Sequence, residues 1–178
     1  MTSKAVIVYK GRYGSTAQYA LWLGQILQVP VYGHLEISIA QLNEYDMVIA
    51  GGSVYVGKIQ IAKWLNERKN ILRNKNLILF VVFASPLTKP EEQHQLLTKN
   101  IDKELLQRLR VFYLRGRLIK QNLSLLDRFV LHMGAALQKT RADKNRMLTD
   151  FDDVKKENLN VLIEAIKQYH HPANAVNH

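Results

Sequence analysis

Short, nearly unbroken apolar runs punctuate the chain at Val6–Tyr9, Val29–Tyr32, Met47–Ala50, Leu77–Phe83 and Val111–Leu114. A strand with one face in water alternates apolar and polar residues, whereas a strand covered on both faces has no need to. Runs such as Met47-Val48-Ile49-Ala50 therefore demand a layer of helices above and below them. The intervening stretches can supply those layers. Ala17–Leu27 places Tyr19, Leu23 and Ile26 on one helical face with Trp22 beside them, and Ile61–Leu72 turns Ile61, Trp64, Leu65 and Leu72 inward. Glu91–Leu97 begins helically after Pro90, and Phe151–Tyr169 reads as a closing helix with Val154, Leu159, Leu162, Ile163 and Ile166 near one face. Strand–helix alternation of this kind predicts an α/β fold. Its form is a doubly wound five-stranded parallel sheet with helices on both faces and right-handed crossovers. A length of 178 residues suits one such domain, and no repeat or low-complexity linker divides it. A single domain over 1–178 is expected, with a frayed tail at 170–178.

Ligands of such sheets gather at the carboxyl ends of the strands, near the point where strand order reverses. Three loops should converge there, at 10–16, 52–58 and 84–90. The first is the most informative. Ala5–Tyr9 reads as a buried strand, Lys10-Gly11-Arg12-Tyr13-Gly14 as a turn, and Ser15-Thr16-Ala17 as the start of a helix. Such a junction directs free backbone N–H groups and the positive end of a helix dipole at one point, which suits a phosphate. Ser15 and Thr16 offer hydroxyls, and Gly11 and Gly14 permit close approach. The alternative is an ordinary turn capped by Ser15 or Thr16. The three spaced glycines of a dinucleotide fingerprint are absent. Gly52–Lys58 nearly spells a P-loop, but Ile59 stands where a Ser or Thr hydroxyl would hold Mg²⁺, which argues against nucleotide hydrolysis.

Other chemistry finds little support. With no cysteine, disulfides, thiolate metal sites and thiol nucleophiles drop out. The six histidines show no metal-ligand spacing, so no metal is expected, and Ser53 and Ser85 lie in no nucleophile elbow. No apolar run reaches signal-peptide or membrane-span length, and a cytoplasmic protein is expected. The net charge is +10, and residues 61–120 hold 13 basic against 5 acidic side chains. Nucleic acid, an anionic membrane, an acidic partner and simple solvation are the candidate explanations. No nucleic-acid motif accompanies the charge, so no nucleic-acid partner is expected.

Residues 115–149 break the alternation. Within Leu123–Lys139, Leu126, Phe129, Val130, Met133 and Leu137 follow helical spacing. Such a stripe reads first as a helix packed on the protein's own core, with a docking surface as the alternative. In the docking case, basic residues such as Lys99, Lys103, Arg108, Arg115, Arg117 and Lys120 would support peripheral contact with an anionic membrane.

Three segments together resemble the flavodoxin-like FMN-binding family, especially a subgroup similar to menaquinone-dependent protoporphyrinogen oxidase. They are Tyr9–Thr16, Gly51–Gly57, and the region from Gly116 through Asp127-Arg128-Phe129 to Leu137. The resemblance implies FMN as cofactor, with Gly11, Arg12, Tyr13, Gly14, Ser15 and Thr16 at its phosphate. It places Ser53, Val54, Tyr55, Val56 and Gly57 on one side of the isoalloxazine ring and Ala84, Ser85, Pro86 and Leu87 on the other. Tyr55 is the stacking candidate, the alternative being a tyrosine that merely covers the sheet edge. Gly57 would offer a peptide near the flavin N5. Gly11 replaces a hydroxyl residue usual in that loop, and the basic charge departs from the acidic electron carriers of the family. An FMN-dependent oxidoreductase follows, quinone-linked or acting on a porphyrin-like or other aromatic substrate. A flavodoxin-type electron carrier working through a redox partner, and a basic interaction domain that has lost the flavin, are the alternatives.

Overall fold

The computed structural model describes residues 4–84, 90–137, 140–141, 144–145 and 148–170. Five parallel strands form the central sheet: β1 (Ala5–Lys10), β2 (Val31–Gly33), β3 (Met47–Tyr55), β5 (Asn76–Phe83) and β6 (Leu109–Arg115). Their order is β2-β1-β3-β5-β6, and a two-residue strand β4 (Lys58–Ile59) folds back antiparallel on the end of β3. Strand order reverses between β1 and β3, whose carboxyl ends therefore frame a crevice.

Alternate residues of each strand serve opposite layers. Val6, Val8, Val48, Ala50, Leu77, Leu79 and Val81 pack with Ile61, Trp64, Leu65, Leu72, Leu96 and Leu105. Those partners come from α3 (Ala62–Glu67) and the turn before it, α4 (Lys69–Leu72), α5 (Pro90–Asn100) and α6 (Lys103–Leu106). Ile7, Ile49, Ile78, Phe80 and Val82 pack on the other face with Tyr19, Leu23, Leu162 and Ile166. These belong to α1 (Ser15–Leu27) and α8 (Asn160–His170), while α2 (Ile39–Asn43) sits in the β2–β3 connection. Two fully covered faces explain why the strand runs need no alternation.

Four expectations need correction. The helix expected over Ile61–Leu72 is two short ones, broken at Arg68, which has φ −108°. The second strand is Val31–Gly33 rather than Val29–Tyr32, because Pro30 has no N–H to donate and its carbonyl instead accepts from Ile7 at 3.0 Å. The closing helix starts at Asn160. Phe151–Asp152 is instead a strand, β8, paired antiparallel with β7 (Arg117–Leu118), and a 3₁₀ turn at Lys156–Leu159 follows.

The fourth correction concerns the stripe. Helix α7 (Leu125–Ala136) forms, with Ser124 Oγ accepting from the Asp127 N–H at its start, but its apolar face does not pack. Leu126, Phe129, Val130, Met133 and Leu137 are all exposed, Phe129 by 64%, and only Asp127 and Ala135 of the helix are buried. Helical spacing names a face but not its partner. The expected tail lies outside the described residues from 171 onward.

Candidate functional site

Helix α1 begins directly after Gly14, which has φ +82°, and no side chain caps it. Gly14 suits that left-handed conformation because it has no Cβ to clash. The reading of Ser15 or Thr16 as an ordinary cap therefore fails, and the first-turn N–H groups are left open at the positive end of the helix. Thr16 is 1% exposed, and its hydroxyl is buried without a hydrogen-bond partner. Leaving such a group unpaired costs about 1–3 kcal/mol. The loop folds tightly over this hydroxyl: a Cβ at Gly11 would meet Thr16 Cβ at 2.6 Å and Oγ1 at 2.7 Å. Gly11 thus closes the loop in space, while Arg12 is partly exposed and Tyr13 is half-buried.

Adjacent to this loop, β3 pairs with β1 to the register Lys10–Gly52. The next residue, Ser53, carries a second buried hydroxyl without a partner. Val54 pairs with Ile59 and Tyr55 with Lys58, leaving Val56-Gly57 as a two-residue hairpin turn. Both turn residues have positive φ, +46° and +68°. That is the twist a tight hairpin favours, but a β-branched residue pays about 1–2 kcal/mol to adopt it. Asn100 braces the turn, donating to the Gly57 carbonyl at 3.0 Å and accepting from the Ile59 N–H at 3.0 Å. The P-loop-like segment is therefore strand and hairpin.

The first two loops meet at one carboxylate. Asp127, on α7, is 4% exposed. It accepts from the Tyr13 and Tyr55 hydroxyls and from Ser124 Oγ at 2.7 Å, and it pairs with the Arg12 guanidinium at 3.1 Å. Four donors compensate for desolvating this charge. Arg12 also lies over the Tyr55 ring, 4.2 Å from its centroid. One face of Tyr55 is thus covered, and a planar ligand stacking on it would take the other face or displace Arg12.

Of the third loop, Ala84 is an exposed bend after β5, and Ser85, Pro86 and Leu87 lie outside the described residues. Asp127 is the residue that the sequence-based site omits. Its signal is the only carboxylate between Leu123 and Lys139, three residues after a Ser that caps the helix.

The family model of the flavodoxin domain matches residues 6–145. The chain belongs to this family. Among solved structures, this flavodoxin domain is similar to flavodoxin 2 from Bacillus cereus at 15% identity, covering 82% of this chain and 92% of that one, with a TM-score of 0.48. It is similar to a flavoprotein in complex with FMN from Lactobacillus acidophilus at 16% identity, covering 64% and 92%, with a TM-score of 0.43. A third is rubredoxin oxygen:oxidoreductase from Desulfovibrio gigas, at 18% identity, covering 92% of this chain and 36% of that one, with a TM-score of 0.47. No curated protein matches the chain.

His34, just past β2, donates its backbone N–H to the Tyr9 carbonyl at 3.0 Å. Burial, then the nearby Lys10 and Arg68 charges, push its imidazole below the ordinary histidine value.

Proposed function

We propose that this flavodoxin domain binds FMN at the β1/β3 crevice and works as an FMN-dependent oxidoreductase on a planar aromatic substrate of quinone or porphyrin type. The unpartnered, buried Thr16 hydroxyl beside the uncapped start of α1 carries the proposal. A phosphate monoester there would accept from Thr16 Oγ1, from the Ser15 hydroxyl and from the first-turn N–H groups. Ser53, Tyr55 and the hairpin turn would then border the ring, with Tyr55 held in place through Asp127. When bound, FMN supplies the electron-accepting and electron-donating ring, while the chain binds it, orients it and limits access to it.

The substrate class rests on the resemblance of Gly116–Leu137 to the protoporphyrinogen oxidase subgroup. Reaction on a substrate of its own is preferred over pure electron carriage because the chain carries +10, unlike the acidic carriers of the family. The carrier is the second reading, favoured by the same crevice.

Titration of apoprotein with FMN, followed by quenching of flavin fluorescence, tests the cofactor. Wild-type protein should quench, and Gly14→Val, which forces a β-branched residue to φ +82°, should weaken binding by more than about tenfold. Equal quenching by both proteins, or by neither, rejects the site. Anaerobic mixing of the FMN-loaded protein with reduced quinones and porphyrinogens then separates the readings. Bleaching of the flavin by one of these supports the enzyme, and bleaching only by a protein reductase supports the carrier.

A further inference from the structure

The exposed face of α7 is continuous. Leu125, Leu126, Phe129, Val130, Met133 and Leu137 form one stripe, and Leu125 and Leu137 are 83% and 80% exposed. Such a surface is costly to leave in water and marks a contact with something else. A cleft of about 230 Å³ runs beside the stripe, lined by Lys120, Gln121, Arg128, Leu131 and His132. Arg128 is fixed at its wall by donating to the Lys120 and Gln121 carbonyls, at 3.1 and 3.4 Å. Lys120 also faces Asp150 at 3.7 Å, so part of its charge is already compensated. The sequence from 115 to 146 carries 8 basic and 2 acidic side chains, and one of those acids is the buried Asp127.

We propose that this face of α7 docks on an anionic lipid bilayer, with the apolar stripe at the acyl-chain boundary and lipid phosphates against the Lys120–Arg128–His132 cleft. Three features select this occupant. The first is charge: an anionic surface complements the fixed Arg128 guanidinium and the basic excess of this part of the sequence. The second is shape. The stripe is the convex side of a single helix, and fluid acyl chains conform to a convex surface that a folded partner would have to match. The third is depth. Among the described residues no helix is long and apolar enough to cross a membrane, so the contact is interfacial. Of the other basic residues expected to dock, Arg115 and Arg117 are paired with Asp153 at 3.2 Å and Asp152 at 3.6 Å. The proposal stands independently of the flavin. Since Asp127 on the same helix joins the two crevice loops, docking would bring the crevice close to the lipid surface.

Co-sedimentation of the full chain with phosphatidylcholine vesicles, with and without phosphatidylglycerol, tests it. The protein should pellet with the anionic vesicles at low salt, lose most of that binding at high salt, and ignore the neutral vesicles. Phe129→Asp combined with Met133→Asp should weaken binding by more than about tenfold. Arg128→Gln should weaken it about fivefold, the effect of one charge at an anionic surface. Leu21→Asp, at an exposed apolar position of α1, should leave vesicle binding unchanged. Melting temperatures within about 2 °C of wild type would show that the α7 variants remain folded. No pelleting with anionic vesicles at low salt overturns the proposal, as does equal binding by the double variant. A salt-resistant dimer that the double variant abolishes would assign the stripe to a second copy. Full competition by inorganic phosphate would reduce the cleft to a small-anion site.

Discussion

The parallel sheet and the excursion between β6 and α8 are held by opposite means. In the sheet, Phe80, Ile49 and Ile78 are wholly enclosed, and no charge is needed inside the two apolar layers. In the excursion, the apolar residues face outward, and a buried carboxylate with four donors holds α7 to the crevice loops. Apolar burial is non-directional and tolerates many partners; a charge-assisted cluster specifies a few atoms. The sheet therefore provides stability, and the excursion provides placement.

The largest effect should come from cutting the core and the stripe in the same way. Phe80→Ala should cost about 3–5 kcal/mol in denaturant unfolding, and Phe129→Ala no more than about 0.5 kcal/mol. Similar losses at the two positions would mean that α7 packs after all and would erase the contrast. Asp127→Ala should act locally. Loss of charge-assisted hydrogen bonds, about 1.5–3 kcal/mol, should raise tryptic cleavage within 117–141 roughly 10- to 150-fold. Unfolding followed through the core Trp64 should move far less. An equal drop in global stability would show that the carboxylate cluster supports the sheet as well.

Thr16→Val separates architecture from ligand more finely, because its two effects have opposite signs. Removing the unpartnered hydroxyl should raise apoprotein stability by about 1 kcal/mol, while FMN affinity falls roughly 10-fold or more. A loss of stability without FMN would mean that the hydroxyl already has an internal partner. The smallest effect is expected at the hairpin. Val56→Asn should stabilise the protein by about 1 kcal/mol, since Asn adopts φ +46° more readily than a β-branched residue. A thermal melt that shifts downward would place Val56 in a contact that outweighs its backbone strain.

Much of this was legible in the sequence, for physical reasons that differ from element to element. Leu77–Phe83 and Met47–Ala50 announce a sheet covered on both faces because their pattern depends only on local neighbours. The Gly11–Thr16 junction is legible for the same reason: turn, helix start and hydroxyls are contiguous. Phe151–Asp152 is not legible, because its strand exists only through pairing with Arg117–Leu118, far back in the chain. Asp127 belongs to the same class, since Arg12, Tyr13 and Tyr55 reach it from distant loops. The stripe on α7 is visible in the sequence, but its direction is not, since the same spacing serves a core or a partner. The break at Arg68 has no Gly or Pro to mark it.

The two-stranded pairing of Arg117–Leu118 with Phe151–Asp152 gives the excursion a shared doorway. The chain leaves the sheet and returns to it at adjacent residues. On the outgoing side it is tethered by the Gly116 N–H to the Phe83 carbonyl at 2.9 Å, and on the return by the Asp153 N–H to the Gly116 carbonyl at 3.1 Å. Whatever lies between can lengthen, shorten or be exchanged at little conformational cost, because loop-closure entropy grows only slowly with length. The excursion is in this sense a cassette. A lineage could rewrite it to meet new surroundings without renegotiating the sheet, provided that each version kept one carboxylate in reach of Arg12, Tyr13 and Tyr55.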